Sequence, residues 1–312
     1  MPLPDAFQAR LRLPAIAAPM FLVSGPDLVI ETARAGIIGA FPALNQRTSE
    51  GYAAWLDEIE DRLSVASQDG SRPAPFGVNL IAHATNPRLD QDLKITVDRK
   101  VPLVITSLGA VSDLVDAVHS YGGLVFHDVI NVRHAEKAAE AGVDGIIAVC
   151  AGAGGHAGTL SPFALIPEIR RFFHKTIVLS GAISNGAQIA AVQLMGADLA
   201  YLGTRFIATQ ESLAPDAYKA MLMQAKAADI VYTPSISGVN ANFMRQSIVA
   251  AGLDPRNLVS HGKLDMGAEA KVWRDIWSAG QGVGSIEDVP SVAELCTRLE
   301  QEYEAARTAL AA

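Results

Sequence analysis

The chain has few of the features that build disulfide scaffolds, nucleic-acid interfaces or membrane spans. Its 312 residues include two cysteines, Cys150 and Cys296, too few and too far apart for a disulfide framework or a cysteine-based zinc site. No Lys/Arg cluster stands out and the net charge is −8, which disfavours a nucleic-acid partner. No apolar run approaches the roughly 18 residues that a membrane-spanning helix needs. The amino terminus lacks a basic segment followed by an apolar run, so we expect no secretory signal and a cytoplasmic location.

Two common catalytic patterns are also missing. There is no H-E-x-x-H motif and no set of paired carboxylates, so a metal hydrolase or a glycosidase finds no support. Five histidines show no ligand spacing: His83, His119, His134, His174 and His261.

What the chain does have is a regular alternation of apolar runs. Hydrophobic residues make up 50% of the sequence and charged residues 19%, a balance typical of a protein with a sizeable core. Between residues 13 and 208, short β-rich runs alternate with segments of helical period. The predicted strands cover 13–18, 37–41, 76–80, 103–107, 124–128, 144–149, 176–181 and 199–204. The predicted helices cover 24–35, 50–67, 88–100, 111–121, 132–141, 163–173 and 185–195, with Ser24 as N-cap of the first.

Eight successive β/α units whose strands are hydrophobic throughout predict a parallel sheet that is buried on both faces. This number of units matches an α/β fold of the closed (β/α)₈, or TIM barrel, type. A doubly wound open sheet is the alternative. Against it, the first β/α turn lacks the G-x-G-x-x-G fingerprint.

After residue 208 the alternation stops. We predict helices at 214–228, 241–251 and 268–277, an irregular stretch with room for a short strand at 230–240, and a last helix at 291–311 that closes the barrel. The chain is therefore divided into a barrel, residues 1–208 and 276–312, and a smaller helical lobe, residues 209–275. The lobe is expected to lie at the barrel mouth, on the substrate side.

The carboxyl ends of the predicted strands are rich in glycine and polar residues, Asn79, Ser107 and Asp128 among them, and this end of a (β/α)₈ barrel holds the active site. Ser180, Gly181 and Ala182 follow the seventh strand, and Gly203 and Thr204 follow the eighth. Loops at these two positions often bind a phosphate through backbone N–H groups, which bulky side chains would keep away. Tight turns alone are the alternative explanation for the two glycines.

Three further polar side chains are candidate ligand contacts. Asn79 both donates and accepts hydrogen bonds, which suits an amide-bearing ring edge; capping of loop amides is the alternative. His127 is expected either to point into the barrel mouth toward a cofactor or to be satisfied by a neighbouring carboxylate. His156 lies in a glycine-rich loop where apolar packing gives no reason for an imidazole, and it exchanges protons near neutral pH. We therefore predict that His156 is catalytic.

These motifs resemble the nitronate monooxygenase family, once called 2-nitropropane dioxygenases. The segment that carries most of the resemblance is Gly-Gly-His-Ala-Gly at 154–158. Others agree in order along residues 12–285: AAPM at 17–20, FGVN at 76–79, SGAISNG at 180–186, MGAD at 195–198, GTRF at 203–206 and WSAGQG at 277–282. A Gly-Gly-His-x-Gly loop also occurs in flavin-dependent enoyl-ACP reductases and NADH:quinone reductases, so the resemblance leaves the reaction open.

The resemblance implies an FMN-dependent barrel with a helical second domain. It places the flavin ring along residues 18–20, the FMN phosphate at the loops after strands seven and eight, and His156 on the substrate side. His127 stands where some relatives have a lysine. Gln281 is implied to reach the ring from a second glycine-rich loop, residues 278–284, called the late glycine loop. The implied cofactor contacts are Ala18, Pro19, Met20, Asn79, His127, Gly155, Ser180, Gly181, Ala182, Gly203, Thr204 and Gln281.

The implied reaction is the oxidation of an alkyl nitronate by O₂ to a carbonyl compound and nitrite. An NAD(P)H-dependent FMN reductase of quinones or enoyl thioesters is the first alternative. A flavin-free barrel that binds a phosphorylated sugar or nucleotide is the second. The expected partners are a small nitronate and O₂, with no nucleic acid and no membrane, and apolar residues of the lobe would permit a homodimer.

Overall fold

A computed structural model describes residues 4–68, 72–109, 112–258 and 273–311. Its strands are β1 Ala15–Ala17, β2 Ile38–Pro42, β3 Phe76–Ile81, β4 Leu103–Ser107, β5 Leu124–Val129, β6 Gly145–Val149, β7 Gly155–His156, β8 Thr176–Ser180, β9 Leu199–Leu202, β10 Ile230–Thr233 and β11 Ala241–Met244. Its helices are α1 Asp5–Gln8, α2 Pro26–Arg34, α3 Ser49–Gln68, α4 Leu89–Asp98, α5 Ser112–His119, α6 Val132–Glu140, α7 Pro162–Arg170, α8 Gly186–Leu194, α9 Thr204–Ile207, α10 Asp216–Gln224, α11 Arg245–Ala250 and α12 Val292–Ala311. Within these described ranges, no helix combines the length and the apolar character needed to cross a bilayer.

Eight parallel strands form a closed barrel in the order β1-β2-β3-β4-β5-β6-β8-β9. The barrel closes because β9 pairs with β1, with Ala200 opposite Ala15 and Leu202 opposite Ala17. Each predicted strand is present, within a few residues of its predicted ends. The (β/α)₈ barrel is thus confirmed, and the open sheet is excluded.

Alternate positions of each strand are buried in two separate apolar layers. In β4, Leu103 and Ile105 belong to the cluster inside the barrel, whereas Val104 belongs to the cluster between strands and helices. Because both layers are apolar, the strands read as continuous hydrophobic runs in the sequence. Residues paired across neighbouring strands face the same side of the sheet, so the register shows which side chains point into the barrel.

The last helix covers the seam at which the barrel closes. α12 packs on α8 and α2, the helices before β9 and after β1. The Gly186 amide donates to Glu302 Oε2 (2.7 Å) and the Tyr303 hydroxyl donates to Gln193 Oε1 (2.6 Å). Gly186 lies so close to the backbone of Leu299 that any Cβ there would collide with it. The predicted terminal helix is present and packs against the helices on either side of the seam between β1 and β9.

The lobe after α9 contains strands as well as helices. β10 and β11 are antiparallel, with Thr233 opposite Ala241, and β11 also pairs with β7 from the glycine loop. The predicted helix at 241–251 is wrong for its first turn, because a strand ends at Met244 and the helix begins at Arg245. All four residues of β11 are buried, including the polar Asn242, so the strand lacks the alternation of buried and exposed residues that reveals a period of two.

Part of the lobe lies outside the described residues. Of the helix predicted at 268–277, residues 268–272 are outside them, as is His261, while residues 273–275 are helical. The domain boundaries at 209 and 275 stay predictions.

Candidate active site

A cavity of about 1740 Å³ opens at the carboxyl end of the barrel, where the barrel meets the lobe. This volume exceeds the ~300–1,000 Å³ of a pocket for one small ligand, so the cavity has room for a cofactor and a substrate together. The predicted site residues that line it are Ala18, Pro19, Met20, Asn79, His127, Gly155, His156, Ser180, Gly181, Ala182, Gly203 and Thr204.

The turn after β1 forms an apolar side of this cavity. Hydrogen bonds hold it at both ends: the Ala18 amide donates to Leu202 O (2.9 Å), and the Met20 amide donates to Ser24 Oγ (2.9 Å). Ser24 is therefore not the N-cap of α2, as the sequence predicted; Gly25 occupies that position, without a side-chain cap. The Ser24 hydroxyl instead supports the turn that presents Pro19 and Met20 to the cavity.

The loops after β8 and β9 lie on the same cavity and are built from small residues. A Cβ added at Gly181 would approach Ala151 O to 3.0 Å, so the chain path there has little room for bulk. Ala182 has a φ of +54°, in the left-handed region that a non-glycine residue adopts at a cost of ~1–2 kcal/mol. Thr204 Oγ1 accepts a hydrogen bond from the Gly280 amide (2.8 Å), and its own hydroxyl proton stays available to a ligand.

A chain of polar side chains crosses three neighbouring strands inside the barrel mouth. Asn79 Nδ2 donates to Ser107 Oγ (3.1 Å), and the Ser107 hydroxyl donates to Asp128 Oδ2 (2.6 Å). Ser107 has the strand parity of Ile105, and Asp128 is paired with the interior residue Ile147. The sequence placed all three residues at the carboxyl ends of their strands but gave a role to Asn79 alone.

The carboxyl group of Asp128 is electrostatically unusual. Its second oxygen, Oδ1, is buried and has no hydrogen-bond partner among the described residues. Burial raises the pKa of Asp128 to about 6, although the Ser107 hydroxyl and the charge of His156 both act to lower it. Asp128 in turn raises the pKa of Tyr201, which shares the barrel interior and is raised mainly by burial. This site therefore contains a carboxyl that changes charge near neutral pH.

His127 lines the cavity, but its side chain faces the helix layer rather than the barrel interior. Its register partners Thr106 and Ile146 face the helix layer, and its Nδ1 is 2.7 Å from Thr106 Oγ1. Burial lowers the pKa of His127 to about 4, with a further contribution from His134 on α6, so the ring is neutral. The residue that points into the barrel from β5 is its neighbour, Asp128.

The glycine loop that carries His156 is held by the lobe. β7 is a strand of the lobe sheet, with His156 opposite Ala241 and Gly155 opposite Asn242. The His156 ring meets Trp273 edge to face, with 5.3 Å between ring centroids and an interplanar angle of 84°. The imidazole therefore stands where the barrel mouth and the lobe meet.

One predicted contact does not reach the cavity. Gln281 is absent from the described residues that line it, and its side chain is exposed and lies against Gly152. Its backbone has the clearer role, since the Gln281 amide donates to Gly152 O (2.8 Å) and joins the two glycine loops.

A family model for nitronate monooxygenase matches residues 81–302, more than two thirds of the chain. The chain belongs to the nitronate monooxygenase family. This confirms the resemblance read from the sequence, and it identifies the protein as an enzyme of an oxidoreductase family.

The names of similar proteins describe two kinds of activity. A nitronate monooxygenase from Paraburkholderia phytofirmans is 28% identical over 93% of this chain and 92% of its own length. The (3aS,4S,5R,7aS)-5-hydroxy-7a-methyl-1-oxo-octahydro-1H-indene-4-carboxyl-CoA dehydrogenase of Rhodococcus jostii is 27% identical over 76% of this chain and 64% of its own length. The solved structure of nitroalkane oxidase from Streptomyces ansochromogenes matches with a TM-score of 0.79 at 24% identity, over 98% of this chain and 100% of that chain, which shows the shared fold.

Several residues of this nitronate monooxygenase-family site were missed by the sequence analysis. Tyr201 could have been found by counting alternate positions from the interior residue Leu199, and the same count from Phe126 gives the inward direction of Asp128. Ser278 lies in the WSAGQG motif, but neither this motif nor the sequence around Trp273 indicates a contact with the distant His156 loop.

Proposed function

We propose that this protein uses FMN and O₂ to oxidise alkyl nitronates to a carbonyl compound and nitrite. The observation that carries the proposal is that His156, the apolar turn at 18–20 and the small-residue loops after β8 and β9 all line one cavity. Family membership supports nitronate oxidation in general. The proposal adds FMN as the cofactor, the carbonyl compound and nitrite as the products, and the role of His156.

The residues present fit FMN. The loops at 180–182 and 203–204 offer backbone around Gly181 and Gly203, where small residues let a phosphate approach. The turn at 18–20 is an apolar surface for a ring, and Asn79 and the enclosed Asp128 carboxyl stand across the mouth as polar partners. FMN, when bound, supplies the electron chemistry of the reaction.

His156 is proposed to bind the substrate. With a nitronate as substrate, an imidazole N–H donates to a nitronate oxygen and so places its negative charge beside His156. With a neutral nitroalkane, the neutral ring would instead accept the α-carbon proton as a general base and leave the nitronate. Around it, Trp273 and Ile130 contribute apolar wall to the same cavity. The protein thereby orients the nitro group and keeps the carbon chain in an apolar environment.

The test is an assay of nitrite release from propyl-2-nitronate or propionate 3-nitronate by the purified yellow protein. His156→Ala is expected to lower kcat/KM by about 10²–10⁴-fold, the usual loss when a positioned acid–base group is removed. His174→Ala, at an exposed loop position, is the matched control and should leave kcat/KM unchanged. An unchanged kcat/KM in His156→Ala removes this residue from the mechanism, and absence of nitrite from the parent enzyme removes the reaction.

A second candidate is an NAD(P)H-dependent FMN reductase of quinones or enoyl thioesters, favoured by the similarity to a carboxyl-CoA dehydrogenase. Anaerobic mixing with NADH or NADPH separates the two. Rapid bleaching of the flavin absorption supports the reductase, and a spectrum that does not change supports the monooxygenase. A purified protein without flavin absorption would contradict both.

A further inference from the structure

The loop that carries His156 is attached to the lobe more extensively than a barrel loop requires. Besides the β7–β11 pairing, the Ala157 amide donates to Asn240 O (3.3 Å) and the Tyr232 hydroxyl donates to Ala157 O (3.0 Å). Asn242, which is 3% exposed, donates from Nδ2 to Ala153 O (2.6 Å). Lobe residues thus bind the backbone on both sides of His156.

Ser278 stands at the centre of these contacts. Its Oγ accepts a hydrogen bond from the Gly155 amide (2.7 Å) and donates one to Asn242 O (2.6 Å). The single hydroxyl proton is therefore committed to the lobe strand, while a lone pair binds the residue next to His156. One side chain joins the catalytic loop, β11 and the late glycine loop.

Ser278 is itself held firmly. Its carbonyl accepts a hydrogen bond from the Tyr218 hydroxyl, and the Tyr218 ring stacks on Trp277 with 4.9 Å between centroids and 7° between planes. The Trp277 amide donates to Ser247 Oγ (2.7 Å), which is buried. The hydroxyl therefore has little freedom to follow a displaced loop.

Gly155 makes the loop dependent on this support. Its φ of +69° lies in the left-handed region, and a Cβ added there would meet nothing within 4 Å. No side chain anchors Gly155 on this open side, so its backbone is fixed by the hydrogen bond to Ser278 and by the pairing with Asn242. Loss of the hydroxyl would leave the Gly155 amide without its acceptor, and the next residue along the chain is His156.

We propose that Ser278 is a positioning residue: through Gly155 it holds the His156 imidazole at the substrate side of the cavity and against Trp273. The proposal rests on the substrate-binding role proposed for His156. It assigns a task to the segment in which the chain returns from the lobe to the barrel, since Ser278 there links the His156 loop to the lobe strand β11.

The direct test follows the His156 ring by NMR in histidine-labelled holoenzyme, with the resonance assigned by its loss in His156→Gln. An imidazole edge-on to an indole at 5.3 Å has ring protons shifted by the indole ring current. In Ser278→Ala we expect this shift to be lost, kcat/KM to fall by about 10–100-fold through kcat, and FMN affinity to stay within about twofold. Ser278→Thr, which keeps the hydroxyl, should restore most of the shift and the rate.

Ser285→Ala is the matched control, because the Ser285 hydroxyl binds Gly282 O (3.0 Å) in the same glycine segment and does not contact β7. If Ser278→Ala does not fold, Tyr232→Phe removes a second support from a partly exposed strand and should give a smaller shift in the same direction. A His156 resonance and a kcat/KM that match Ser285→Ala would overturn the proposal. If the ring-current shift is lost in Ser278→Ala and the parent enzyme itself releases no nitrite, the positioning role of Ser278 is upheld and the proposed reaction is rejected.

Discussion

Two neighbouring residues of β5 have opposite effects on stability as pH changes. Asp128 has a pKa raised to about 6 by burial, against an ordinary value of 3.8, so between these values the folded protein holds a proton that the unfolded chain has lost. The free energy of unfolding contributed by Asp128 therefore falls as pH rises through this window. His127 has a pKa lowered to about 4 from 6.5, and its contribution is lost as pH falls through that window.

Asp128→Asn separates the pH dependence contributed by Asp128 from that contributed by His127, because His127 is present in both the variant and the parent. We expect the variant to be more stable than the parent by about 1–3 kcal/mol at pH 7, with the difference vanishing toward pH 4. Urea unfolding at four pH values between 4 and 7 measures it. Asp98→Asn, at an exposed position at the end of α4, is the control. A difference that stays constant with pH would contradict the assignment.

At the scale of single residues, the sequence predicted which residues lie at the site better than it predicted which way their side chains point. Residues such as Asn79, Ser180 and Gly203 were found because strand ends can be read from apolar runs, and the barrel brings those ends together. The side-chain direction of His127 was left open because its strand parity was not counted, and for the same reason Asp128 was given no role of its own. The hydroxyl of Ser278 could not be predicted, since its partner Gly155 is 123 residues away and no local pattern joins them.

Among the elements, the two glycine loops depend on each other's lack of side chains. Gly280 has a φ of −83°, which any residue adopts, so its need for glycine is steric. A Cβ there would lie 2.6 Å from Gly152 O and 2.9 Å from the Gly154 nitrogen. The late loop therefore approaches the His156 loop backbone to backbone.

Gly280→Ala is expected to destabilise the protein by about 1–3 kcal/mol and to lower kcat/KM, because the His156 loop must move to admit the methyl group. Gly284→Ala is the control in the same segment, since its Cβ would meet Ala227 N at an ordinary 3.7 Å. Thermal unfolding and the nitrite assay compare the two. If the two variants have the same Tm and the same kcat/KM, the close approach at Gly280 contributes neither to stability nor to activity.

The elements themselves were largely predictable. Barrel strands are buried on both faces, and this produced the unbroken apolar runs from which all eight were read. β11 was missed because four buried residues lie directly before a helix, and apolar content alone does not distinguish the end of a strand from the start of a helix. The pairing of β11 with β7 depends on the lobe folding back on the barrel, which sequence periodicity does not report.

For the molecule as a whole, α12 acts as a cover over the strand seam. Ala has the higher intrinsic helix propensity by about 1 kcal/mol, so Gly186→Ala would stabilise an isolated α8. In the folded protein its Cβ would collide with the backbone of α12 at Leu299. We expect the collision to prevail and the Tm to fall by about 2–4 °C for each kcal/mol lost. Differential scanning calorimetry measures the Tm, and Leu310→Ala at the exposed end of α12 is the control. A raised Tm in Gly186→Ala would show that α12 moves aside without loss of stability.

The β7–β11 pairing also bears on how such enzymes can be recombined. A chimaera that joined this barrel to the lobe of a relative would replace Tyr232 and Asn242, two side chains that bind the backbone around His156, whereas Ser278 would stay with the barrel. The barrel would retain its histidine and its glycines, yet the histidine would take its pose from the incoming lobe. Substrate preference and the pose of the histidine are therefore inherited together. To transfer one without the other, a graft must treat residues 153–157 as a separate segment, with a junction on each side of it.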